Sequence, residues 1–174
     1  MIELQVILSN TYALADSKSK LKVQLTADAE AEVSATAVPL NLVLLVDRST
    51  SMTGEALNNV KEAASSIVDE LSAEDRLAIV AFGSDVDVLV ESQLLSDKQN
   101  IKKQIDRLRA RGATNVHEAL TKGLEQVEKG QAQGVLSRMI FLSDGEATEG
   151  ETDDELILTL AKKAREIGVA VSTL

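Results

Sequence analysis

The stretch "NLVLLVDRSTSM" at residues 41–52 joins a continuous aliphatic run to a polar end. An aliphatic run of this length without polar alternation indicates a β-strand that is buried on both faces. Asp47 closes the run, and three hydroxyl side chains follow it at Ser49, Thr50 and Ser51. The stretch therefore predicts a central strand that delivers an oxygen-rich loop to one edge of a sheet.

Short apolar runs alternate with longer segments of helical period from residue 41 onward, which predicts an α/β fold with an open, mostly parallel sheet and helices on both faces. The predicted elements, in order, are a strand at 41–46, a helix with Thr53 as its N-cap, a strand at 76–82, an alternating antiparallel edge strand from Val86, a helix from Asp97 that stops at Gly112, a helix after Thr114, a strand at 138–145, a helix around 156–167 and a strand at 168–174.

The first 38 residues follow a different pattern. Apolar residues alternate with polar ones at 2–8 and again at 21–25, which predicts two half-buried strands. The alanine-rich tract at 27–37 fits either a third strand or a connector, and Pro39 marks a boundary. We therefore expect a β-rich N-terminal segment at 1–38, which could be part of a second unit, and a main domain at 39–174.

Composition excludes several classes of function. The 174 residues carry a formal net charge of −10, which argues against binding to nucleic acid or to anionic membranes. The amino terminus has no basic n-region before its apolar residues, and no apolar run approaches the roughly 18 to 20 residues that span a bilayer. With no cysteine for disulfides, the composition favours a cytoplasmic protein without membrane insertion.

Three loops of the predicted sheet carry oxygen side chains to one place, because the carboxyl ends of parallel strands share an edge where ligands bind. Asp47, Ser49 and Ser51 follow the first strand, Thr114 lies between two helices, and Asp144 ends a later strand. Two carboxylates and three hydroxyls without His or Cys suit a hard cation and match zinc poorly. We expect Mg²⁺, with Mn²⁺ or Ca²⁺ as alternatives.

The mixture of ligands also indicates the purpose of the metal. A divalent ion that is held through neutral hydroxyls, with only two carboxylates nearby, keeps much of its positive field. Such an ion can accept a carboxylate from outside the chain, whereas a storage site would surround it with more acids.

Three motifs in this order resemble those of the von Willebrand factor A domain: "DRSTS" at 47–51, "RGATNV" at 111–116 and "FLSDGEAT" at 141–148. The resemblance runs from about Pro39 to the last residue and implies a Rossmann-like sheet with a metal-ion-dependent adhesion site. The stretch "SKLKVQLTADAEAEV" at 19–33, followed by "PLNLVLLVDRSTSM" at 39–52, is similar to a bacterial subgroup in which the domain sits inside a longer polypeptide.

The resemblance implies a role for each site residue. Ser49, Ser51 and Thr114 would coordinate the ion directly or nearly so, while Asp47 and Asp144 would hold it from close by, often through water. An Asp or Glu of a partner protein would fill the remaining position, and Thr114 would be the residue whose contact varies with ligand state.

Two features depart from the family pattern. Thr50 stands where the family often has Gly, so a positive φ there would be strained. The family fold also continues with a helix, an edge strand and a further helix, so we expect 39–174 to lack these last elements and to belong to a longer protein. No oligomeric state is implied.

Other functions fit the sequence less well. Bacterial members of the family often work as regulatory subunits of an AAA+ ATPase, a role that would use the same site. A Mg²⁺-dependent phosphatase of the haloacid dehalogenase type needs a second Asp where Ser49 stands, and a serine hydrolase would need a Gly-x-Ser-x-Gly elbow. His117 fits an exposed helix residue better than a ligand. The basic cluster "KKQIDRLRAR" at 102–111 predicts a solvated helix face, although its arginines could flank an acidic partner.

Overall fold

The computed structural model describes residues 2–8, 23–29, 38–144 and 147–173. Contacts within the chain divide it into two units, Met1–Ala37 and Val38–Leu174. In the first unit, β1 (Ile2–Leu8) pairs antiparallel with β2 (Val23–Ala29), so both strands expected there are present. Most of the alanine-rich tract after β2 lies outside the described residues.

The larger unit is built around one five-stranded sheet with the order β5-β4-β3-β6-β7. Pairing is parallel throughout, except that β5 runs antiparallel to β4 at the edge of the sheet. The elements are β3 (Leu40–Asp47), a 3-10 helix (Thr50–Met52), α1 (Glu55–Glu70), β4 (Arg76–Phe82), β5 (Val86–Leu94), α2 (Lys98–Asp106), α3 (Val116–Gly130), β6 (Leu136–Leu142), α4 (Asp154–Glu166) and β7 (Ala170–Thr173). This arrangement confirms the predicted fold class.

The central strand β3 separates two hydrophobic cores. Leu44 and Val46 point toward α1 and α2, whereas Val43 and Leu45 point toward α3 and α4, and all four side chains are fully buried. Alternate residues of a strand face opposite sides of the sheet, so an unbroken aliphatic run is what two covered faces require. The sheet thereby holds the end of β3, with Asp47, at a fixed place.

A carboxylate fixes the start of β3. Asp75 accepts hydrogen bonds from the backbone N–H of Leu40 at 2.8 Å and of Ser72 at 2.7 Å, and from the Ser72 hydroxyl at 2.8 Å. Partial burial alone would raise the pKa of Asp75, but these three donors and the charge of Lys98 together lower it. The carboxylate form is therefore favoured by folding.

We expect Asp75→Asn to lower the free energy of unfolding by about 1–2 kcal/mol at neutral pH, because the amide cannot accept all three hydrogen bonds. A carboxyl group with a lowered pKa stabilises the fold above its usual titration range, near about pH 3.9. That contribution is lost as the pH falls through the lowered value. Urea unfolding at neutral and acid pH should therefore show the difference between wild type and variant shrinking in acid. A constant difference would contradict the assignment.

The structure corrects two predicted helix ends. Thr53 is not the N-cap of α1, because Gly54 occupies that position with a φ of 90°, and the Thr53 hydroxyl instead donates to the Thr50 carbonyl. Asp97 does cap α2, but the helix ends at Asp106 and not at Gly112. The chain leaves the helix there because the backbone N–H of Arg111 pairs with the loop that follows β3.

The edge strand β5 is irregular. Its register against β4 shifts between Leu77 and Ile79 and again between Ile79 and Val80. Exposed carboxylates lie along it at Asp87 and Glu91. Among the described residues, no helix is both long enough and apolar enough to cross a membrane.

Candidate metal centre

Asp47 ends β3 as a fully buried carboxylate. One of its oxygens accepts a 2.7 Å hydrogen bond from the backbone N–H of Ser49, and the other accepts a 2.5 Å bond from the hydroxyl of Ser143. Both oxygens are therefore oriented by donors on two different loops. These bonds hold the carboxylate in place at the base of the site.

A row of oxygen atoms continues from this base. The hydroxyl oxygens of Ser49 and Ser51 lie 2.9 Å apart, and the Ser51 hydroxyl donates to the carboxylate of Asp144 at 3.2 Å. Octahedral Mg²⁺ with bonds of about 2.1 Å has neighbouring ligand oxygens about 3 Å apart. These separations are ordinary hydrogen-bond distances, and they are also close to the spacing of neighbouring ligands around such an ion.

Thr114 brings a further hydroxyl to the same place. The residue is only 3% exposed, and among the described residues its hydroxyl makes no hydrogen bond. Its backbone N–H donates to the hydroxyl of Thr148 at 3.0 Å, and its carbonyl accepts from the backbone N–H groups of Thr148 and Glu149. A cavity of about 340 Å³ is lined by Ser49, Thr50, Ser51, Gly112, Ala113, Thr114 and Thr148. Of the five predicted site residues, Ser49, Ser51 and Thr114 therefore line one hollow. Asp47 and Asp144 adjoin it through their hydrogen bonds to Ser49 and Ser51.

Backbone hydrogen bonds join the loops that carry these side chains. The loop after β3 is held on one side by Arg48 N–H to the Phe82 carbonyl at 2.8 Å and by Arg111 N–H to the Arg48 carbonyl at 2.7 Å. Thr50 donates twice to the carbonyl of Gly112, from its N–H at 2.9 Å and from its hydroxyl at 2.8 Å. The site is therefore assembled by the fold itself.

The strain expected at Thr50 does not arise. Thr50 begins a 3-10 helix, a conformation with negative φ, so a β-branched residue fits there. Its hydroxyl adds a bond to Gly112 that glycine could not make.

Sequence reasoning missed three contributors: Ser143, Thr148 and Gly112. Ser143 directly precedes Asp144, and Thr148 is a hydroxyl residue four positions beyond it, so both carried a signal within the third motif. Gly112 acts through its backbone carbonyl. Every residue has that group, so the sequence held no signal for the role of Gly112.

The acidic and histidine residues do not form an alternative site. Within the described ranges, no group of three or more His, Cys, Asp or Glu side chains lies close enough to hold a metal ion. His117, which was expected to be exposed, is half-buried in the first turn of α3.

Comparison with known proteins finds one family and several relatives. A family model of the von Willebrand factor type A domain matches residues 41–174. The uncharacterized protein sll0103 of Synechocystis sp. is 37% identical over 137 residues, which cover 79% of this chain and 32% of that protein. The chain spans a third or less of the length of the curated relatives that it matches first.

Solved structures share the fold. A von Willebrand factor type A protein from Catenulispora acidiphila superposes with a TM-score of 0.69 at 18% identity, covering 99% of this chain and 39% of that one. Proximal thread matrix protein 1 from the mussel byssus, with zinc in its MIDAS motif, gives a TM-score of 0.67 at 20% identity and covers 78% and 37%.

Proposed function

Because the chain belongs to the von Willebrand factor type A family, we propose that it is a non-catalytic protein-binding module that works through a divalent cation. Asp47, Ser49, Ser51, Thr114 and Asp144 would hold the ion. When bound, the ion supplies a positive centre that a partner's Asp or Glu carboxylate can approach.

The spacing of the hydroxyl oxygens supports this proposal most directly. Ser49 and Ser51 present oxygens 2.9 Å apart, and the buried Thr114 presents a hydroxyl that has no hydrogen-bond partner among the described residues. The Thr114 oxygen keeps contact with solvent at the hollow, so it can bind an ion without breaking a hydrogen bond of the fold. Mg²⁺ is the ion that we propose, since neutral and carboxylate oxygens suit it.

The two carboxylates would have different roles at the site. Asp47 already receives hydrogen bonds on both oxygens, which supports a role in orienting Ser49 and in balancing charge. Asp144 is exposed and contacts Ser51, so it borders the open side of the site. A partner's carboxylate would arrive from that open side.

Two alternative functions involve the same residues. A phosphatase of the haloacid dehalogenase type would need an acid and base at position 49, where a buried serine is hydrogen-bonded to Ser51. A regulatory role beside an AAA+ ATPase would rely on the same ion and differ only in its partner. Both this partner and the cytoplasmic location stay predictions.

We expect Ser51→Ala to weaken Mn²⁺ binding about tenfold, because it removes an oxygen ligand from an exposed position without disturbing the core. Loss of the free-Mn²⁺ electron paramagnetic resonance signal measures binding, and competition with Mg²⁺, Ca²⁺ and Zn²⁺ ranks the ions. Ser66→Ala makes the same chemical change at an exposed residue of α1 and should leave the affinity unchanged.

Equal Mn²⁺ affinities for wild type and the Ser51 variant would contradict the proposed site. The partner can then be sought by affinity purification from a lysate with Mg²⁺ or with EDTA. A protein that is retained only with Mg²⁺, and lost from the Ser51 variant, would identify it.

A further inference from the structure

A pocket walled by arginine side chains lies beside the candidate metal centre. It has a volume of about 200 Å³ and is lined by Arg48, Arg107, Arg109 and Arg111 together with a glutamine and two leucines. Three of these arginines were expected on a solvated face of α2. Because α2 ends at Asp106, they lie instead in the connector that leads to Thr114.

The positive charges of this arginine pocket are only partly neutralised. Arg111 pairs with Asp87 at 3.4 Å and with Asp85 at 3.7 Å, and Arg48 also pairs with Asp87. In the described ranges, Arg109 donates to backbone carbonyls and to no carboxylate. Within the described part of the chain, the guanidinium of Arg107 makes no hydrogen bond and no ion pair. Two of the four guanidinium groups thus have no carboxylate partner there.

The pKa of a neighbouring lysine responds to these charges. Burial and then the positive charge of Arg109 lower the pKa of Lys61, and Asp106 offsets part of that effect. Positive charge therefore gathers around this pocket although the chain as a whole carries a net charge of −10.

One of the four arginines of the pocket, Arg48, is buried and not solvated. Its side chain is only 8% exposed, and its Nε finds no hydrogen-bond acceptor among the described residues. A buried cationic side chain with an unpaired donor is costly in a free protein. An anion in the pocket would add negative charge next to it.

The arginine pocket and the hydroxyl-lined cavity are lined by adjacent residues of the same two backbone segments. Arg48 lines the arginine pocket, and its neighbour Ser49 lines the hydroxyl-lined cavity. Likewise, Arg111 lines the pocket and Gly112 lines the cavity. The two backbone segments are hydrogen-bonded to each other, from Arg111 N–H to the Arg48 carbonyl and from Thr50 N–H to the Gly112 carbonyl. An extended peptide advances about 3.3 Å per residue, so a few residues reach from one to the other.

We propose that the arginine pocket binds a second acidic side chain of the partner segment whose first carboxylate approaches the metal centre. The partner would then present an acidic stretch of polypeptide and not an isolated Asp or Glu. This inference rests on the proposed function for the first carboxylate, whereas the contact with the arginines needs no metal.

Fluorescence anisotropy with a fluorescein-labelled octaglutamate peptide tests the pocket, using the full chain stripped of metal and then supplied with Mg²⁺. Arg107→Gln combined with Arg109→Gln should weaken binding about fivefold at low ionic strength, with or without Mg²⁺, since two exposed charge contacts are lost. About 0.5 M NaCl should weaken wild-type binding strongly. Lys162→Gln combined with Lys163→Gln makes the same charge change on exposed residues of α4 and should leave binding unchanged.

The proposed role of the pocket is overturned if the arginine variant binds octaglutamate as tightly as the wild type. It is also overturned if the lysine variant loses as much affinity as the arginine variant. Tighter arginine-dependent binding of a labelled octathymidine strand overturns the choice of an acidic polypeptide. If Mg²⁺ adds nothing while the arginine effect persists, the proposed metal-dependent function fails and the pocket stands as a metal-independent site for acidic peptides.

Discussion

Asp47→Asn should weaken Mg²⁺ binding about hundredfold while the protein stays folded, because carboxylates that support a metal site are worth that order of affinity. The asparagine carbonyl can still accept the Ser49 N–H, so the loop after β3 keeps its shape. Its NH₂ group cannot accept the Ser143 hydroxyl, and the negative charge at the base of the site is gone. Titration calorimetry with Mg²⁺ measures the loss.

Thermal unfolding separates this effect from damage to the fold. Mg²⁺ at about 100 times its dissociation constant should stabilise the wild type by about 2.7 kcal/mol, whereas the variant should gain almost nothing. In EDTA the variant should unfold at a somewhat lower temperature than the wild type, because the Ser143 hydroxyl loses this acceptor. Asp69→Asn, at an exposed carboxylate of α1, should bind Mg²⁺ like the wild type. Mg²⁺ affinity retained in Asp47→Asn would exclude Asp47 from the metal site.

Gly130→Ala should lower the free energy of unfolding by about 2–3 kcal/mol, the usual cost of forcing a methyl group into a filled core. Gly130 ends α3, and a Cβ there would lie 2.2 Å from the side-chain oxygen of Asn41. Asn41 is fully buried in β3, and its amide donates to the Val127 carbonyl at 2.9 Å and to the Ser137 hydroxyl at 3.2 Å. Urea unfolding in EDTA measures the change.

Two further variants identify the cause of that loss. Gly134→Ala meets no atom within 4 Å but has a φ of 80°, so it should cost only about 1 kcal/mol through backbone strain. In an Asn41→Ala background, Gly130→Ala should cost far less than in the wild type, since the clashing amide is absent. Equal costs in both backgrounds would show that Asn41 is not the obstacle.

The sheet was predictable from the sequence because its strands are bounded by clear signals. The strand "RLAIVAF" was placed to the residue, since the charged pair Asp75 and Arg76 precedes its apolar run and Gly83 ends it. Helix ends were harder to place. The apolar spacing of α2 continues through Leu108, but pairing between Arg111 and Arg48 ends the helix at Asp106. A contact between segments that are distant in sequence leaves no local pattern to detect.

The site was predictable for a related reason. Asp47 and Asp144 each follow an aliphatic strand of a parallel sheet, so topology alone brings them to one edge. The bonds that hold the loops in register were not predictable, since the carbonyls of Gly112 and Thr114 are backbone groups. Whether the five residues bind an ion stays a prediction, and the Ser51 and Asp47 variants test it.

The irregular edge strand β5 affects how the protein behaves at high concentration. A straight edge strand offers a row of unpaired backbone groups on which another chain can build, and sheets of this kind can aggregate. The shifts in register between β4 and β5 and the exposed carboxylates at Asp87 and Glu91 make β5 a poor template for such growth. We therefore expect β5 to resist pairing with another copy of the chain along that edge.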